Sequence, residues 1–131
     1  MDVDPGIVGQ SWGPERVVVE AGAIRRFAQA IGDEEPRHLL GEVAPPTFPT
    51  TFRTSIPGLD LEKRRILHAG ESYRYERGLR AGDVLFVTRR VAEVYRKQGS
   101  LGPMTFIVMG AAARDADGAL VYESRTTLIY R

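Results

Sequence analysis

Asp33 and His38 are the residues of this sequence whose types and spacing best suit chemistry. They lie five positions apart, around Pro36, directly after a segment with helical spacing. A carboxylate and an imidazole that share a cleft can take and return a proton, which is general acid and base catalysis. Spacing alone leaves an alternative open, in which Asp33 caps local backbone amides and His38 is an ordinary loop residue.

Most other chemistries are excluded by what the sequence lacks. It has no cysteine, which removes disulfides, thiolate nucleophiles and sulfur-bound zinc. Its two histidines are not at metal-ligand spacing, and a structural role is favoured for His68, at the start of a strand pattern. Asp115 and Asp117 lie in a segment that is typical of a hairpin turn and lacks the earlier ligands of a calcium loop. We therefore predict no metal and no cofactor.

The charge of the chain is nearly balanced, with 18 basic and 17 acidic residues and a formal net charge of +1. Such a chain has no overall field to attract a polyanion, so we predict no nucleic-acid partner. Basic residues cluster at 63–65, 89–90 and 96–97, which indicates solvated surface or, alternatively, a landing site for a phosphate-bearing carrier. No apolar run approaches the roughly 20 residues of a membrane span, and the start of the chain has no secretory pattern. We predict a cytoplasmic protein without membrane contact.

The first elements that would position the Asp/His pair are a short strand and a helix. Residues 16–19 are a β-branched run, and residues 20–31 then place apolar side chains on one helical face. Gly32 follows the last of them, where a residue free to adopt a left-handed conformation commonly ends a helix. We predict a turn over residues 33–38.

A proline-rich segment follows this turn. Three of the eight prolines lie between positions 42 and 49, which predicts an extended loop. Thr47 or Thr50 could then cap a brief helix that runs through Ile56.

The rest of the chain has a strand pattern, with turn-rich segments between the strands. Short connections between successive strands predict an antiparallel meander. A helix followed by such a sheet is an α+β layout, in which the helix covers one sheet face. Residues 1–131 are predicted to form a single domain. The predicted strands are 71–76, 84–96, 104–114 and 119–130.

Several segments resemble a known family. Residues 27–38 resemble the helix-Gly-Asp-x-Asn-Pro-x-His signature of R-specific enoyl-CoA hydratases, with Glu35 in place of the asparagine. Residues 44–50, 59–71 and 79–83 look like successive landmarks of the MaoC-like dehydratase amino-terminal domain. The resemblance covers nearly the whole chain and implies the hot-dog fold, an antiparallel sheet wrapped around a helix.

The resemblance also implies an activity. The family adds water to enoyl thioesters or removes it from 3-hydroxyacyl thioesters, carried by coenzyme A or an acyl carrier protein. Asp33 and His38 would hold and deprotonate the water and return its proton. Backbone amides near Thr47 and Phe48 would stabilise the negative charge on the thioester oxygen. The carrier's phosphates would meet a basic cluster, either the Arg96-Lys97 tip or Lys63, Arg64 and Arg65.

Two departures from the family pattern keep other functions open. Only residues 39–44 separate His38 from Pro45, where the family usually has a longer segment over the acyl chain. Pro46 and Thr47 stand where active hydratases have a His-Gly pair, and the Ala-Pro-Pro-Thr-Phe sequence is typical of a half-domain that pairs with a catalytic partner. The alternatives are therefore a non-catalytic partner subunit of a heteromeric dehydratase or, third, an acyl-CoA thioesterase. Whichever of these functions holds, we predict a homodimer or a pair with a second hot-dog subunit, joined edge to edge.

Overall fold

Five antiparallel strands form one sheet in the computed structural model, which describes residues 3–52 and 54–131. The order across the sheet is β1-β3-β4-β5-β2, so that β1 and β2 are its edges. The three long strands form the predicted meander, which the structure confirms. The strands are β1 (Ser11–Val18), β2 (Ile66–Tyr75), β3 (Val84–Gly99), β4 (Gly102–Arg114) and β5 (Leu120–Tyr130).

β1 leads directly into a helix over Ala21–Ala30, which we call α1. Ile24 and Ala28 of α1 are fully buried, in one cluster with Leu85 and Val87 of β3. The helix ends where the sequence predicted, because Gly32 has a φ of +69°, which glycine adopts without strain. The α+β layout is thus confirmed, with α1 packed on one face of the sheet. We call this the inner face.

The connection between α1 and β2 differs from the prediction. A single helical turn, α2, covers Pro36–Leu39, and a 3-10 turn covers Phe48–Thr51. The predicted helix through Ile56 is wrong, since the chain leaves helical geometry at Phe52. There the Phe52 ring packs edge-on against Phe48, with centroids 5.5 Å apart, so tertiary packing overrides the local helix signal. Arg53, which that prediction included, lies outside the described residues.

Capping of this 3-10 turn also differs from the prediction. The Thr47 side chain makes no capping hydrogen bond, and the Thr50 hydroxyl instead donates to the Thr47 carbonyl at 2.9 Å.

None of the helices in the described ranges is long and apolar enough to cross a membrane.

Candidate functional site

Asp33 is positioned by the end of α1. Its backbone N–H donates to the Ala28 carbonyl at 2.9 Å, and its Oδ1 accepts from the Glu35 N–H at 2.8 Å. Glu35 is the N-cap of α2, with its side chain near the Arg37 N–H, and Pro36 follows as the first helical residue. The predicted turn over residues 33–38 is therefore half helical, because this cap and proline start a helix just before His38.

Asp33 and His38 are brought into direct contact. Asp33 Oδ2 and His38 Nδ1 are 2.6 Å apart, and the side chains keep 17% and 18% of their surface exposed. The Glu35 N–H, and next the His38 hydrogen bond, lower the pKa of Asp33 below its ordinary 3.8. Because Asp33 is then ionised and accepts, Nδ1 carries the hydrogen. Nε2 has no hydrogen-bond partner among the described residues, which leaves it open to a substrate or water.

The far side of α2 is held close to α1 by a glycine. Gly41 is buried with a φ of +76°, and a Cβ at this position would lie 2.6 Å from the Ala21 carbonyl oxygen. The Gly41 N–H donates to the His38 carbonyl at 3.0 Å. The close approach of the two backbones fixes where His38 sits relative to the start of α1.

The two predicted amide donors behave differently. The Phe48 N–H donates to the Pro45 carbonyl at 2.9 Å and so is already used within the turn. Thr47 is exposed, and its N–H has no acceptor among the described residues. Phe48 itself is buried against Phe27, with ring centroids 5.7 Å apart, so its ring belongs to the core.

The three basic residues predicted to meet a carrier are in one 3-10 turn, Lys63–Arg65, but face different surroundings. Arg64 is exposed, with Nε 3.6 Å from the Glu62 carboxylate. The Arg65 guanidinium stacks on the Tyr130 ring at 4.3 Å and donates to the Arg131 carbonyl. Lys63 lines a cavity of about 790 Å³ on the inner face of the sheet.

That cavity was not predicted, and neither Asp33 nor His38 lines it. Arg89 does, and it is only 7% exposed. The assignment of the Arg89-Arg90 pair to a solvated surface is therefore wrong for Arg89. Strict alternation along β3 could have revealed this, since Arg89 has the same parity as the buried Leu85, Val87 and Val91.

A helix packed on a five-stranded antiparallel sheet in this strand order is the hot-dog fold, which the chain shares with a MaoC-like dehydratase of known structure, at a TM-score of 0.74 and 23% identity. The chain belongs to the FAS1-like dehydratase domain region family, whose model matches residues 6–124. A UPF0336 protein of Streptomyces griseus is 31% identical over an alignment of 150 positions, gaps included, which covers 100% of this chain and 97% of that protein. A UPF0336 protein of Streptomyces coelicolor is 33% identical over 119 residues, covering 76% of this chain and 79% of that protein.

Solved structures show the same fold. The chain matches the HadBC (3R-hydroxyacyl-ACP dehydratase) complex of Mycobacterium tuberculosis with a TM-score of 0.75 and 23% identity, covering 98% of this chain and 99% of that one. R-hydratase PhaJ1 of Pseudomonas aeruginosa matches with a TM-score of 0.66 and 19% identity, covering 94% of this chain and 81% of that one. The ChsH1-ChsH2 complex of Mycobacterium tuberculosis matches with a TM-score of 0.64 and 19% identity, covering 92% of this chain and 82% of that one. The predicted family and the hot-dog fold are confirmed.

Proposed function

We propose that this chain is a hydratase or dehydratase of enoyl and 3-hydroxyacyl thioesters and that Asp33 and His38 are its catalytic pair. The observation that carries the proposal is the 2.6 Å contact between Asp33 Oδ2 and His38 Nδ1 in a partly exposed site. It fixes the imidazole tautomer and leaves Nε2 as the free base. Membership of a dehydratase family supplies the reaction class.

In the hydration direction, His38 Nε2 takes a proton from water as the water oxygen bonds to C3 of the enoyl group. The electron pair of the C2–C3 double bond moves toward the thioester, whose oxygen becomes negative. The imidazolium then gives its proton to C2, which completes a 3-hydroxyacyl thioester. Asp33 holds the ring and stabilises the transient imidazolium, which is an orienting role rather than the water-binding role expected from the family pattern.

The developing oxyanion requires a hydrogen-bond donor. The Thr47 N–H is the candidate, because the Phe48 amide already donates to Pro45. Neither Pro46 nor Pro49 can donate. A single amide donor predicts weaker stabilisation of the oxyanion than the two or more donors of a complete oxyanion hole would give.

The direct experiment is an assay of the purified chain with crotonyl-CoA. Hydration should lower the absorbance of the conjugated double bond, and His38→Ala should reduce that rate by about 10² to 10⁴, the usual contribution of general acid and base catalysis. A simultaneous thiol assay separates hydration from thioester hydrolysis, since only a thioesterase releases free coenzyme A. A wild-type rate that His38→Ala leaves unchanged would remove the pair from the mechanism.

A second candidate is a partner subunit that supports catalysis by another hot-dog chain. It is favoured by the Phe48 amide that is already bonded and by the fold likeness to HadBC and ChsH1-ChsH2, both of which are complexes. In that case the purified chain should show no turnover alone and should stimulate a hot-dog chain encoded beside it. His38→Ala should then leave the stimulation intact.

The carrier is proposed to be coenzyme A or a phosphopantetheine arm, with Lys63 as its phosphate contact because Lys63 is exposed and, unlike Arg64, has no ion pair among the described residues. Lys97 is the alternative contact, although its Nζ lies 5.3 Å from the Phe106 ring centroid. An exposed charge contributes little, so Lys63→Ala should weaken acyl-CoA binding a few-fold, and more at low salt than at high salt. Calorimetry of Lys63→Ala beside Lys97→Ala assigns the contact. A binding heat that does not depend on salt, or no binding heat at all, would exclude a phosphate contact at both lysines.

A further inference from the structure

The apolar core of this protein is interrupted by a polar layer. Buried apolar residues form two separate clusters, one around Ile24 and Leu85 and the other around Ile107 and Tyr130. Polar side chains line the inner-face cavity in the space that divides them. Inner faces of small sheets are normally apolar, so a polar layer with open space above it requires an explanation.

The strand register shows how the layer is built. One cross-strand row runs Arg89, Ala111, Ser124 and Tyr73, from β3 to β2. The next row runs Val91, Met109, Thr126 and Glu71. The floor of the cavity is therefore formed by the small side chains of Ala111, Ser124 and Thr126, together with Met109. Larger polar side chains on β3 and β2 form opposite walls, whose backbones are three strand spacings of about 4.8 Å apart, or about 14 Å.

The β3 wall carries a buried positive charge with weak partners. Arg89 lies 3.4 Å from a Glu15 carboxylate oxygen and 3.5 Å from the Phe52 carbonyl, both at the long limit of hydrogen bonding. Half of the Glu15 side chain is exposed, so this ion pair is partly solvated. A guanidinium has five N–H donors, and most of them have no acceptor among the described residues.

The β2 wall carries an unpartnered hydroxyl and a carboxylate. The Tyr73 hydroxyl is buried and has no hydrogen-bond partner within the described ranges. Burial, and next the nearby Glu71 carboxylate, raise the pKa of Tyr73, so its hydroxyl remains a donor at neutral pH. Glu71 Oε1 accepts from the Thr126 hydroxyl at 3.0 Å, and Oε2 lies 3.7 Å from Nε2 of His68, an exposed side chain that also lines the cavity. A carboxylate has about four lone-pair sites, so Glu71 keeps acceptor capacity toward the cavity.

We propose that this cavity binds a small carboxylic acid that also carries a hydroxyl or amino group. Arg89 would hold the carboxylate, and Glu71 would accept a hydrogen bond from the donor group at the other end. A guanidinium matches the planar carboxylate with two parallel hydrogen bonds. The wall-to-wall span, less the reach of the two side chains, leaves room for a chain of a few carbon atoms. Glu71 would repel a phosphate dianion more strongly than a carboxylate monoanion, which favours a carboxylate.

The probe is 4-hydroxybutyrate, titrated against the wild-type chain by calorimetry and by the shift of its thermal midpoint. Butyrate lacks the donor, and 1,4-butanediol lacks the carboxylate. Loss of either group should weaken binding roughly tenfold or more, because each leaves a charged protein group without its partner. If 4-hydroxybutyrate gives no saturable signal, the cavity holds only water and the proposal is overturned.

Arg89→Met tests the site itself, with Arg90→Met as its matched control. Arg90 is the adjacent exposed residue of β3, and it does not line this cavity. Arg89→Met should abolish the response to 4-hydroxybutyrate, whereas Arg90→Met should keep it. An apolar side chain of similar size should leave the urea midpoint equal or higher, since a weakly paired buried charge is costly.

The sign of that stability change separates a binding role from a structural one. If Arg89→Met lowers the urea midpoint, Arg89 supports the fold through Glu15 and Phe52, and the proposal fails. It fails equally if Arg90→Met removes the response, because binding would then depend on surface charge alone. His38→Ala should bind 4-hydroxybutyrate like the wild type, so this site can stand or fall independently of the hydratase proposal.

Discussion

Asp33 and His38 share one short hydrogen bond, so each depends on the other for its proposed role. Asp33→Asn should lower turnover by about 10² to 10⁴, as His38→Ala should. The double variant should be only slightly slower than either single variant, because removing one member already disables the unit. Kinetics with crotonyl-CoA check this, with the exposed neighbour Glu34→Gln as the control that retains activity. Losses that multiply would instead show that the two residues act independently.

The lowered pKa of Asp33 also makes a prediction about stability. A carboxyl whose folded-state pKa lies below its unfolded value stabilises the fold above the unfolded value, and this contribution disappears as pH falls through the folded pKa. Asp33→Asn should therefore lower the urea midpoint at pH 7, and the difference from the wild type should shrink below about pH 4. Urea unfolding at pH 7, 5 and 3 measures it, with Glu34→Gln controlling for one lost charge. A difference that grows in acid would contradict this account.

At the scale of single residues, the sequence allowed prediction of the Asp/His contact but not of the inner-face cavity. The contact is local, since five residues and one turn bring Asp33 and His38 together. The cavity joins Arg89 to Tyr73 and Glu71 through two intervening strands, and its geometry depends on register. Alternation alone predicts that Arg89 points inward, but not which side chains lie opposite it.

At the scale of elements, the corner between α1 and α2 positions the proposed catalytic pair, and two glycines allow a matched test. Gly32 and Gly41 both have positive φ, at +69° and +76°. A Cβ on Gly32 would meet no atom within 4 Å, whereas one on Gly41 would press on the Ala21 carbonyl oxygen. Gly32→Ala should cost about 1–2 kcal/mol for its backbone conformation. Gly41→Ala should cost a further 1–3 kcal/mol or so, as overpacking does.

Urea unfolding of the two variants measures these costs. Because the Gly41 N–H bonds to the His38 carbonyl, Gly41→Ala should also lower turnover more than Gly32→Ala does. Equal losses of stability would show that the corner can relax and that the contact with Ala21 does not hold α2 in place.

Elements with a long, regular pattern were predicted well, and short ones were not. The helix over 20–31 and the strands of the meander have enough turns or alternations for the period to be unambiguous. The 3-10 turn at Phe48–Thr51 and the single helical turn α2 are too short to show a period. Their form is decided by packing, as with Phe52 against Phe48, and by caps such as Glu35.

At the scale of the whole molecule, the two edges of the sheet are protected unequally. β1 contains Pro14, which has no N–H to offer, and its register with β3 shifts between Trp12 and Glu15. β2 also has a register shift, between His68 and Gly70, but it contains no proline over Ile66–Tyr75 and pairs on one side only, with β5. An unprotected edge strand is a template for a further strand. We therefore expect chain pairing to occur along β2.

If β2 pairs with β2 of a second copy, light scattering at micromolar concentration should give twice the 14.5 kDa mass of one chain. Leu67 of β2 and Leu101, between β3 and β4, are both exposed and supply a matched pair of substitutions. Leu67→Glu should dissociate the dimer by placing a charge beside the shared edge, while the monomer remains folded because the side chain faces solvent there. Leu101→Glu should leave the dimer intact. A wild-type monomer that doubles in mass only with a second hot-dog chain would assign β2 to a heteromer, and a monomer under both conditions would exclude edge pairing.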